Sequence, residues 1–136
     1  MIQSLDKYRH HALALFRIVV GLVFLQHGTE KVFGFPAPAD GTQPPLLSLI
    51  GVGGLIEVVG GFLIIVGLFT RPTAFVLCGQ MAVAYWFFHA PDGVFPIQNG
   101  GDGAILFCFS FLLLVFFGPG AISFDAARVQ VAGNRP

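Results

Sequence analysis

Glu57 lies near the middle of GVGGLIEVVGGFLIIVGLFTR, Gly51 to Arg71, a segment apolar and long enough to cross a bilayer. An ionisable group within hydrocarbon is costly, and it marks an ion pair, a proton relay or a ligand site. His27, inside an earlier apolar segment, is the second titratable group placed where proton exchange is the natural chemistry. Arg17, on the segment that carries His27, is the cation expected to offset Glu57, with Gln80 between them. The alternative is that Arg17 snorkels to the aqueous face and acts only as an anchor.

The other polar groups gather toward one end of the spans: Gln26, Glu30 and Lys31 with His27, His89 closing the third apolar segment, and Asn99 and Asp102 opening the fourth. The expectation is a polar, ligand-binding cluster of Arg17, Gln80, His89, Asn99 and Asp102 around Glu57 and His27 as the catalytic pair. Several members have plainer readings. Asn99 and Asp102 equally suit an N-cap followed by an acid three residues on. Glu30 and Lys31 read as interfacial, and His89 beside Tyr85 and Trp86 suits an aromatic belt. His27, Glu57, His89 and Asp102 lack the compact spacing of a metal motif, so no metal centre is expected. Cys78 and Cys108 fall at different estimated depths with no C-x-x-C pattern, and they read as small packing residues rather than a disulfide.

The elements that must position these groups follow from composition. Of 136 residues, 55% are hydrophobic and 10% charged, with mean hydropathy +0.81, so lipid rather than water is the solvent. A net charge of zero leaves no basic field to hold nucleic acid. Four apolar stretches, about 12–33, 46–69, 72–90 and 101–118, are separated by breaks rich in Gly, Pro and polar residues. The first is too long for a signal-peptide core and is followed by no small-residue cleavage site, so it reads as a retained anchor. Continuous apolar runs without alternation exclude a β-barrel. The predicted fold is an all-α membrane protein, an antiparallel four-transmembrane-helix bundle forming a single domain over 1–136. Lys7, Arg9, Arg71, Arg128 and Arg135 flank one side of it, which puts both termini in the cytoplasm. Glycines 53, 60 and 67, with 54 and 61 beside them, keep one stripe of the second helix nearly free of side chains and turn Glu57 toward the bundle interior. Arg17, Gly21, Phe24, Gly28 and Lys31 form a comparable face on the first helix.

The segments ALFRIVVGLVFLQHGTEKVFGFP, GLIEVVGGFLIIVGLFTRPTA and QNGGDGAILFCFSFLLLVFFGPGAISFDA together resemble the DoxX family of small bacterial inner-membrane proteins across nearly the whole chain. Asp102 stands where similar sequences usually carry Glu. The resemblance implies a four-helix inner-membrane fold and a link to redox metabolism, since the founding relatives are membrane subunits of a thiosulfate:quinone oxidoreductase. It does not transfer an activity. Two functions are consistent with it: a redox subunit that binds a quinone, with Glu57 or His27 exchanging protons, or a non-catalytic scaffold that recruits a redox protein partner. Lipid is the expected surrounding, and the glycine faces equally suit contacts between copies in a homo-oligomer.

Overall fold

The computed structural model describes residues 5–133. Its main elements are α1 (Arg9–Phe33), α2 (Leu49–Val66), α3 (Thr70–Ala84), the short α4 (Pro96–Asn99), α5 (Asp102–Phe117) and α6 (Phe124–Gly133). No strand occurs among the described residues. α3 continues through a π turn at Tyr85–His89 and a 3-10 turn at Ala90–Asp92. Three helical stretches, Asp6–Phe33, Leu49–Val66 and Thr70–Asp92, are long and apolar enough to cross a membrane. α5 is apolar but shorter; its 16 residues rise about 24 Å.

Local chemistry sets the helix ends, and it moves two expected boundaries. α2 starts at Leu49 rather than 46 because the Ser48 hydroxyl accepts the Gly51 N–H at 3.1 Å and caps the helix. It stops at Val66 because Gly67 turns left-handed at φ 69°, donating its N–H to the Leu63 and Ile64 carbonyls. Thr70-Arg71-Pro72 was expected as the break, yet it opens α3, where a proline in the first turn sacrifices no hydrogen bond. The break itself is Gly67 to Phe69. α4 and α6 are additions to the expected plan.

Contacts run in opposite directions along neighbouring helices, so α1, α2, α3 and α5 pack up and down in turn. Gly28 faces Val58 and Gly21 faces Ile65 across α1 and α2; Gly60 meets Leu77 across α2 and α3; Cys78 meets Cys108 across α3 and α5. The closest approach is α1 on α2, where a Cβ at Gly28 would stand 2.6 Å from the Val58 nitrogen and one at Gly54 would stand 2.8 Å from the Lys31 Cβ. Phe24, Ile64, Leu77, Phe111 and Leu114 fill the centre, with Phe24 edge-on to Phe111 at 4.8 Å. Phe62, Phe75, Phe109 and Phe116 point outward, as an exterior in contact with lipid requires.

The end of the bundle that carries the described termini is closed by side chains capping helices across the chain. Arg17, fully buried, donates from Nη1 to the carbonyls of Ile64 and Ile65 at 2.6 Å, from Nε to Pro119 at 2.8 Å, and from Nη2 to Ile122. Two predicted roles are thereby corrected: Arg17 neither pairs with Glu57 nor snorkels. Its cation answers the negative end of α2, about 10 Å along that helix from Glu57. Arg71 likewise donates to Val115 and Phe116 at the end of α5. Arg135, one of the residues behind the expected orientation, lies outside the described residues.

Asp125 completes the set at the start of α3. Its two carboxylate oxygens accept the N–H groups of Phe69 at 2.9 Å and Thr70 at 2.8 Å. Burial raises this carboxyl, and the Thr70 and Phe69 hydrogen bonds with nearby Arg128 outweigh that effect, holding it below the usual carboxylate range. The stabilisation it provides is therefore complete above the ordinary carboxyl value near about 4, and it is lost as pH falls through the lower folded value. Asp125→Asn keeps one accepting oxygen and should lose about 1 kcal/mol at neutral pH, the worth of the second hydrogen bond, which an amide nitrogen cannot accept. Melting curves of variant and wild type should converge in acid; a gap that persists there would show that the carboxylate charge is not what the cap uses.

Candidate functional site

α2 and α3 diverge around a groove of about 350 Å³ whose walls are Leu49, Ile50, Val52, Ile56, Val83 and Phe88. Its floor is polar: Glu57, Lys31 and Gln80, with His89 at the rim. The helices dictate this arrangement. Glu57 lies midway along α2, eight residues from one end and nine from the other, on the buried stripe with Gly54, Gly60, Gly61 and Ile64. Lys31 leaves α1 one turn nearer the end of the bundle, and its stem lies on Gly54, where any larger residue would collide with it.

Lys31 is the partner that spacing alone misassigned to the interface. Its Nζ donates to both Glu57 oxygens, at 2.6 and 2.7 Å, while the Glu57 side chain is 3% exposed and that of Lys31 29%. Lysines near helix ends normally extend toward water; this one reaches inward. Gln80 joins as expected, its Nε2 donating to the Gly53 carbonyl at 3.0 Å and to Glu57 at 3.3 Å. Gln80 Oε1 is buried and has no hydrogen-bond partner among the described residues. The floor thus offers an acceptor in want of a donor beside a buried acid and its ammonium.

The other predicted site residues fall elsewhere or act indirectly. His89 Nδ1 lies 3.1 Å from the Asn99 carbonyl and so carries the proton there. Asn99 is buried outside the groove, its Nδ2 donating to Gly93 and its Oδ1 accepting from Gly101, both at 2.8 Å. It shapes the turn that holds His89. The expected N-cap on the last main helix is corrected: Gly101 occupies the cap position, and exposed Asp102 is the first helical residue, where an acid suits the helix dipole. His27 is exposed and packs edge-on to Phe107 at 5.5 Å, facing α5 rather than the groove. No cluster of three His, Cys, Asp or Glu suited to a metal occurs among the described residues.

The DoxX family model matches residues 12–90. An uncharacterized protein of Haemophilus influenzae is 46% identical over 132 residues, covering 91% of this chain and 96% of the relative. Two Escherichia coli K12 proteins, named inner membrane protein YphA and inner membrane protein YqjF, are each 32% identical over 83% and 80% of this chain and 87% and 85% of their own lengths. No solved structure matches it. The chain belongs to the DoxX family, and with its long apolar helices it is a multi-pass inner-membrane protein.

Proposed function

We propose that this single-domain protein is the membrane subunit of a redox system and holds a quinone ring in the groove between α2 and α3. In this reading α5 is a fourth span and both termini face the cytoplasm, so the groove opens in the outer half of the membrane. The observation that carries the proposal is the orphaned Gln80 Oε1 beside the Lys31–Glu57 pair, between apolar walls continuous with the lipid-facing surface. A flat, apolar ring bearing oxygens at both ends fits those walls. The hydroxyl of its reduced form is the donor that Gln80 Oε1 lacks. Bound there, a quinone accepts two electrons and two protons. Lys31, Glu57 and Gln80 orient the oxygen nearest them, and the ion pair passes a proton toward it. The chain has no redox cofactor motif, so the electrons come from a partner protein.

Gln80→Leu tests this without breaking the ion pair. Mass spectrometry of the protein extracted in mild detergent should find quinone or hydroquinone with the wild type, and the variant should bind a short-chain hydroquinone, kept reduced, at least about tenfold more weakly, the worth of one buried hydrogen bond. Equal binding by both would rule the site out. The second reading, a scaffold that recruits a partner or another copy of itself, is favoured by one feature: Lys31 satisfies both Glu57 oxygens, as a purely structural pair would. Unchanged partner recruitment by a Gln80→Leu protein that binds no quinone would support it.

A further inference from the structure

The two cysteines were expected at different depths, and the structure brings them together. Cys78 Sγ and Cys108 Sγ lie 3.6 Å apart between α3 and α5, half-buried against the core. Cys78 is eight residues from the start of α3, and Cys108 is nine from the end of α5, which lies at the same end of the bundle. They are the only cysteines in the sequence. A core side chain touches roughly 6–12 others, so a second residue dropped at random into this chain would land in contact with the first about one time in fifteen. The pairing therefore asks for a chemical reason.

We infer that Cys78 and Cys108 are a redox-active dithiol, oxidised within the membrane by a lipid-soluble quinone to a disulfide that joins α3 to α5. The sulfurs are already in van der Waals contact, and closing to bonding distance takes about 1.5 Å. The balance is complete: two S–H bonds break, one S–S bond forms, and two electrons and two protons pass to the quinone, giving the hydroquinone. The surroundings favour this oxidant. Phe107, Phe111 and Leu77 make the vicinity apolar, and a reaction that leaves an ion there would carry a large desolvation cost. A quinone takes protons with electrons, so reactants and products are all neutral. It also dissolves in the phase that the half-exposed thiols face. This inference does not depend on the groove, because Gln80 faces α2 while Cys78 faces α5.

The experiment uses the full chain in lipid nanodiscs with a benzoquinone whose ring is fully substituted, so that thiols cannot add to it. After quenching and unfolding, free thiols are counted by maleimide labelling and intact mass is measured. The expected result is loss of both labelling sites, a monomer lighter by two hydrogens, one hydroquinone formed per chain, and full reversal by dithiothreitol. Cys78→Ala and Cys108→Ala should each keep their remaining thiol and form no hydroquinone. Three results would overturn the inference: both thiols still labelled in the wild type, a disulfide-linked dimer instead of an internal bond, or a disulfide formed by diamide but not by the quinone. A Gln80→Leu protein that binds no quinone in the groove should still oxidise its cysteines, which separates this reaction from the groove.

Discussion

An Arg17→Met variant will unfold well below the wild-type protein, with a loss of at least about 4 kcal/mol. The guanidinium serves four backbone carbonyls from two separate segments and is itself wholly buried. Methionine fills much of the volume but leaves those acceptors without a donor in surroundings that supply little water. Hydrogen bonds to a charged donor contribute about 1.5–3 kcal/mol each, so half the summed value already exceeds what most substitutions cost. Arg17→Lys should recover less than half of the loss, because an ammonium cannot span the end of α2 and the turn at Pro119 together. Thermal unfolding in mild detergent, followed by circular dichroism, decides it. A methionine variant within about 1 kcal/mol of wild type would show that water or a neighbouring group replaces the guanidinium.

The second large effect is at Lys31, where the sign depends on what stands opposite. Lys31→Met leaves Glu57 buried without its cation and should cost about 3–5 kcal/mol. Removing both charges in Lys31→Met/Glu57→Leu should return stability to within about 1–2 kcal/mol of wild type, since an apolar pair of similar volume suits this interior. The coupling from the double-mutant cycle is the informative number. If the losses of Lys31→Met and Glu57→Leu measured singly add up to the loss of the double variant, the 2.6 Å contact carries no net coupling and the two charges are held there by other forces. A double variant that folds normally yet no longer binds quinone would separate the chemistry of the pair from its structural part.

How much of this could be read from residues alone varied with the range of the interaction. Glu57 announced itself, because hydropathy and the glycine repeat are local signals and together they fix its burial and its face. Gln80 followed from the same helical logic. Lys31 did not: position near a helix end ranks a lysine as interfacial, and only the crossing of α1 over Gly54 turns its stem inward. Arg17 was correctly placed on the inner face but given the wrong partner, since nothing local says that the turn at Pro119 and Ile122 folds back beneath it. Asp125 was invisible for the same reason; its cap acts across more than fifty positions. The cysteines were lost to small errors of boundary. Starting α3 two residues late and ending α5 one residue late shifts their relative depth by three residues, about 4.5 Å.

Direction of synthesis gives the Arg17 network a temporal side. Two of its acceptors lie 102 and 105 positions further along the chain. Pro119 is made 54 residues after Ile65, about 3–11 s later at ribosomal speeds, and until then only the Ile64 and Ile65 carbonyls are available to the guanidinium. The early hairpin thus waits with half of its donors unused, and the last-made turn is the clasp that shuts it. A nascent protein truncated before Pro119 would leave that cation without two of its four acceptors.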